Sequence, residues 1–224
     1  MTPSGFHLAM YNFGLHVAPY DAPEVQGFLR REPLNFAAAE RASGFVARSG
    51  YDGEPGPLSW GVQVFPRFIE GSGFESGPSS LSIWVDIESL MAFSYAGVHA
   101  EALKNARNWN TRNEWPPLVL WWIEAGHRPE WKQAADRLEW LHDCGPGPRA
   151  FTFKQAYDPD GAPLEIDRAR VKALIEANAP GQRDLLERLE TIPSDPPPVR
   201  SRTAERRLTD RGDQEALGRS ISIM

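Results

Sequence analysis

At 224 residues, with 41% hydrophobic and 24% charged side chains, the chain is long enough for one globular domain with appendages. A formal net charge of −6, with no Lys/Arg cluster before Asp160, excludes a protein built to grip the phosphate backbone of nucleic acid. The single cysteine, Cys144, rules out an intrachain disulfide framework, and no apolar run approaches the ~20 residues that span a bilayer, so the chain reads as cytoplasmic.

Phe6 to Gly14 (FHLAMYNFG) alternates as a strand, with Phe6, Leu8, Met10 and Asn12 on one face. Asp21 and Pro23 open a helix running to Ala42, which Pro33 is expected to kink or split and Ser43-Gly44 closes. Phe45 to Gly50 reads as a second strand, and Tyr51 to Leu58 as a Gly/Pro loop. Trp60 to Phe68 reads as an extended edge segment, and Gly71 to Pro78 as a loop suited to lie over a binding site. Leu81 to Asp86 (LSIWVD) is the next strand, and Glu88 begins one long helix ending near Trp109. Leu118 to Ile123 (LVLWWI) is apolar on both faces, the pattern of a strand interior to a sheet. A turn at Ala125–Pro129 leads into a helix from Glu130 to about His142, Gly145–Pro148 breaks it, and Phe151 to Tyr157 reads as a final strand.

Beyond Asp158, Ile166–Ala177 and Arg183–Ile192 are amphipathic helical segments too short to stand alone, which must dock on the core or on a partner. From Pro193 the chain is Pro-rich, then charged and poor in apolar residues, the composition of a disordered tail. The chain therefore divides into a domain over 1–160, a helical extension over 161–192 and a tail over 193–224. The order strand–helix–strand–strand–helix–strand predicts an α+β fold of ferredoxin-like type with an antiparallel sheet. Its helices cover one sheet face, and burial of the other by a second copy predicts a homodimer.

Eight Trp and eleven Phe, none of them beyond Phe153, supply either an aromatic core or the walls of a pocket for a flat apolar ligand. His99 falls at the edge of a helical stripe formed by Met91, Tyr95, Val98 and Ala102, where a neutral imidazole can take a proton, ligate iron or simply satisfy a backbone carbonyl. Trp84 shares a strand face with Ser82 and Asp86 and is either core or pocket wall. Trp121 and Trp122 point to opposite faces. Arg107 and Trp109 suggest a guanidinium–aromatic pair able to hold an anion. His127-Arg128-Pro129 forms either a site rim or a turn. The five His and one Cys show no metal-site spacing, and no nucleophile elbow, phosphate loop or dinucleotide fingerprint is present.

Two blocks carry a resemblance. The run Trp84-Val-Asp-Ile-Glu-Ser-Leu-Met-Ala-Phe with His99-Ala-Glu-Ala-Leu and Trp109, followed by Trp121-Trp122-Ile-Glu-Ala-Gly126-His127-Arg128-Pro129, Arg137-Leu-Glu and Phe151-Thr-Phe, resembles domain of unknown function family 3291, of the dimeric α/β-barrel superfamily. The resemblance covers Phe6 to Tyr157. It implies an enzyme of secondary metabolism acting on a flat apolar or aromatic substrate, quinol- or polyketide-like, by cofactor-independent monooxygenase-type or cyclase/isomerase-type chemistry. In that reading His99 and Asn12 are catalytic, and Trp84, Phe93, Tyr95, Arg107, Trp122 and His127 contact the substrate. No metal site is implied. Haem is the one cofactor left open, because Asn12, Phe93 and His99 stand roughly where haem-degrading members of the superfamily carry their binding groups. The alternative is a haem-binding protein or a non-catalytic small-molecule-binding dimer.

Overall fold

In the computed structural model, which describes residues 5–193, four strands form one antiparallel sheet in the order β2-β3-β1-β4. They are β1 (Phe6–Phe13), β2 (Phe45–Arg48), β3 (Ser79–Trp84) and β4 (Leu118–Glu124). With the helices α1 (Gln26–Glu40), α2 (Ile87–Ser94) and α3 (Gly97–Trp109) between them, this is the ferredoxin-like arrangement. The register sets Leu8 between Trp84 and Trp122, and Asn12 between Ser80 and Leu118.

Both sheet faces are buried within the one chain. Leu8, Met10, Trp84 and Leu120 face α1, α2 and α3. Ala9, Tyr11, Ile83, Val119 and Trp121 face the opposite way, against Trp131, Ala134 and Leu138 of α4 (Trp131–Cys144). Trp60, Phe65, Phe68 and Phe74, from the long β2–β3 connection, complete that second layer. The burial for which a second copy was invoked is therefore supplied in cis, and the covered face no longer argues for a homodimer.

Several elements depart from expectation. Trp60 to Phe68 is not extended; apart from a 3-10 turn at Arg67–Ile69 it is irregular, because its rings turn inward to cover the sheet. Pro33 does not interrupt α1, since it sits exposed and the hydrogen bond it deletes is lost on the water side. β4 is an edge strand, apolar on both faces because both are covered. Its outer rim is sealed by reciprocal bonds between Leu120 and Phe151. The final strand is reduced to β5 (Ala156–Tyr157), paired with β6 (Pro163–Leu164). The tail expected from Pro193 onward lies, beyond Pro193 itself, outside the described residues.

The helix expected from Glu88 to Trp109 is two helices. The break is made by a residue far along the chain. Gly97 has φ +54, and a Cβ there would stand 2.1 Å from Oε1 of Gln182. That oxygen accepts the Val98 N–H at 3.0 Å, capping α3, whose own N-cap residue Ala96 has no side-chain oxygen. Gln182 belongs to the turn joining α5 (Arg168–Asn178) and α6 (Arg183–Glu190), which lie against α1, α2 and α3. Asn178 Oδ1 accepts the Ser43 N–H at 2.8 Å, Arg170 pairs with the buried Asp86, and Leu185 is fully buried in the helical layer. The extension is thus an integral cover of the helices. Gln182→Ala, which strands a buried N–H, is expected to lower the unfolding free energy by about 1–3 kcal/mol in urea titrations. Gly97→Ala is expected to cost at least as much, from steric overlap and the left-handed backbone together.

Candidate functional site

The strand–helix unit from Leu81 to Trp109 does gather aromatic rings. Phe45 meets Trp84 edge-on at 5.3 Å, Trp84 stacks on Phe93 at 5.1 Å, and Phe93 lies 4.8 Å from the His99 ring. Trp84 is 0% exposed, Phe93 is 6% exposed, and the Trp84 indole donates to Ser82 Oγ at 2.9 Å. These two rings are packed against each other as core, not opened as pocket walls.

His99 Nδ1 lies 2.8 Å from the Ser94 carbonyl, which can only accept, so Nδ1 carries the proton and Nε2 is the basic nitrogen. Burial pushes this imidazole below its usual pKa and keeps it neutral. Asn12 is not brought to it. It sits four residues along β1 from the Trp84 register, ~13 Å at strand rise. Its Oδ1 is taken by the Ser80 N–H at 2.7 Å and hydroxyl at 3.2 Å. The trio Asn12, Phe93 and His99 therefore does not assemble a haem-binding set.

The remaining expected contacts disperse. Tyr95 is 56% exposed and meets Phe153 at 5.6 Å, because it ends α2 instead of lying on a continuous buried stripe. Arg107 is exposed; the guanidinium over Trp109, at 5.1 Å, belongs to Arg31, which also grips Glu101 at 2.9 Å. Trp122 is half-buried and donates to the Tyr157 carbonyl at 2.7 Å, tying β4 to β5. His127 is exposed in a turn closed by its own N–H on Glu124 O at 3.0 Å. Among the described residues no three His, Cys, Asp or Glu side chains gather as a metal site, and no helix is long and apolar enough to cross a membrane.

A cleft of ≈ 320 Å³ lies instead at the free edge of β2. Phe45, Ala47 and Trp60 line it with apolar surface, and Pro57 and Leu58 form its outer lip. The lip is held close by Gly50, whose N–H donates to Leu58 O at 3.1 Å and whose missing Cβ would stand 1.7 Å from Pro57 O. Trp60 is fixed from below, its N–H on Ser49 Oγ at 2.9 Å. Three charged side chains reach the cleft. Arg48 is neutralised by Glu40 at 2.8 Å and backed by the Phe36 ring at 4.1 Å from its guanidinium carbon. Arg128 is exposed and has no acidic partner among the described residues. It is aimed by the turn that Gly126, φ +91, and the buried Pro129 impose before α4. The Gly126-His127-Arg128-Pro129 block was the signal for this site, but only the path of α4 under the sheet shows that it ends beside β2.

Sheet order, doubly covered sheet and edge cleft define a ferredoxin-like α+β protein with a ligand-sized recess outside its helical layer. The chain belongs to the family described as Domain of unknown function (DUF3291), whose sequence model matches residues 7–167. No curated protein and no solved structure matches it. The family match passes Tyr157, where the resemblance was expected to stop, and takes in the β5–β6 hairpin up to Asp167, which caps α5 through Arg170 N–H.

Burial also lowers the pKa of His16, which is bonded to Asn110 Oδ1 at 2.8 Å with its Nε2 buried and unpartnered. Histidines depressed in the folded state contribute stability that is complete above the unfolded value and lost as pH falls below it. The unfolding free energy is expected to decline as pH drops from about 6.5, and a His16→Asn/His99→Gln variant to flatten that decline in urea titrations across pH.

Proposed function

We propose that the protein binds a small, flat, largely apolar molecule bearing one anionic group, seated in the cleft at the β2 edge with its charge on Arg128. The observation that carries this is an arginine with no acidic partner among the described residues, on an apolar cleft whose other arginine is already neutralised by Glu40. The apolar lining favours ring burial at ~25 cal/mol per Å² removed from water. The planar guanidinium favours a carboxylate or phenolate over a neutral carbonyl. That ligand class agrees with the aromatic, quinol- or polyketide-like compounds of secondary metabolism suggested by the resemblance to the dimeric α/β-barrel superfamily. A homodimer is kept in this reading on the strength of that resemblance alone, since both sheet faces are covered within one chain, and the cytoplasmic address rests on the lone cysteine and on apolar runs too short to span a bilayer.

A second reading, monooxygenase-like or cyclase/isomerase catalysis, rests on His99. Its neutral imidazole with Nδ1–H fixed on Ser94 O is the arrangement a general base needs. The cleft and this histidine are linked by the ring ladder Phe45, Trp84 and Phe93.

Titration with 1-hydroxy-2-naphthoate, followed by tryptophan fluorescence, tests the binding reading. Saturable quenching is expected, with affinity at least tenfold weaker in Arg128→Ala and unchanged in His99→Gln. Equal affinity of wild type and Arg128→Ala removes the reading. A Soret band on adding haemin that disappears in His99→Ala would put the haem alternative in its place.

A further inference from the structure

On the face of the molecule formed by α4 and β4, two arginines stand together with no carboxylate paired to either among the described residues. The Arg137 guanidinium lies over the Trp121 ring at 5.2 Å, and the Arg149 guanidinium over the Trp140 ring at 5.5 Å. An Nη of Arg137 donates to the Arg149 backbone carbonyl, which draws the two residues into one cluster. Each acidic side chain of α4 is already engaged elsewhere. Asp136 pairs with Lys132 at 2.7 Å, while Glu139 and Asp143 both hold Arg67, at 3.0 and 2.5 Å.

Two donors at this place are buried and have no acceptor: Nε of Arg137 and the indole Nε1 of Trp121. A buried N–H left unpaired costs about 1–3 kcal/mol, and two neighbouring guanidinium charges repel each other besides. Burial, and then the neighbouring charge of Arg149, push the pKa of Arg137 down. The scaffold beneath is stiff. Arg149 follows Gly145-Pro146-Gly147-Pro148, and Gly147 and Ala150 exchange hydrogen bonds at 2.9 and 3.0 Å around it. Packing has therefore put two cations in one place, above two buried unpaired N–H groups, with no counter-charge among the described residues.

We propose that the guanidinium groups of Arg137 and Arg149 form a binding site for a small oxyanion, a phosphate, sulfate or carboxylate group. A guanidinium backed by a ring keeps its in-plane N–H edge for such a group, and two of them can grip separate oxygens of one anion. The site is separate from the β2-edge cleft. It draws on Arg137, a residue of the family-like blocks that the cleft leaves unused.

The test uses the full chain labelled with ¹⁵N, titrated with inorganic phosphate, sodium sulfate and sodium acetate in parallel, against sodium chloride at constant ionic strength. The Trp121 indole and Arg137 Nε–H resonances are expected to shift saturably with at least one oxyanion and not with chloride. The apparent Kd is expected to weaken at least tenfold in Arg149→Ala, which alters an exposed side chain and leaves the remaining spectrum in place. Preference for phosphate or sulfate over acetate assigns a tetrahedral anion, and the reverse assigns a carboxylate. Shifts equal to those with chloride, or unchanged affinity in Arg149→Ala, overturn the proposal.

Discussion

A four-stranded sheet with large apolar side chains on both faces cannot leave either face to water, and that requirement shapes most of this molecule. β1 carries Leu8 and Met10 toward one layer and Ala9, Tyr11 and Phe13 toward the other. One layer is the crossover helices α1, α2 and α3 natural to the topology. The other had to come from elsewhere in the chain, and α4 with the aromatic β2–β3 connection provides it. Trp131 shows how tightly the two parts are joined, meeting Tyr11 of the sheet at 6.2 Å and Tyr51 of the connection at 5.7 Å. The position of the cleft follows from this arrangement. α4 packs against β1 and β4, and the turn before it carries Arg128 to the β2 edge.

Much of the sheet was legible because strand periodicity is local. The four strands, their alternation and the opposed directions of Trp121 and Trp122 come directly from side chains that repeat every second residue. What was not legible was what each face meets. The apolar run Leu118–Ile123 has the signature of an interior strand, yet β4 is an edge; the pattern records how many faces are buried and says nothing of how many neighbours a strand has. The region Trp60–Phe68 likewise has apolar residues for a strand, and uses them as a plug. The split at Gly97 depends on Gln182, which no local window contains.

The site was legible only in part, for a related reason. His99 and Phe93 are neighbours across consecutive helices, where one continuous helix was expected to carry both. Asn12 required a judgement about register, and pairing with Ser80 takes it to the far end of the sheet. Arg128 stood in the most specific stretch of the chain, but its neighbours Phe45, Leu58 and Trp60 come from a separate region and meet it only through the path of α4. Charge pairing sharpened the picture further. Of the two arginines at the cleft, Arg48 has a carboxylate and Arg128 has none among the described residues.

The cap that Gln182 places on α3 also orders events in time. The Val98 N–H waits on an oxygen 84 residues downstream, so while the chain leaves the ribosome from its N-terminus, α3 emerges with its first turn incomplete. The sheet and its α4 layer can close before the extension has been made, whereas the helical layer cannot. Contacts of such long range slow folding because the intervening loop must be ordered before the bond rewards it. A nascent chain stalled short of Gln182 would thus present a finished sheet beneath a loosened α2–α3 pair, with the surface meant for Leu185 still open to other proteins in the cell.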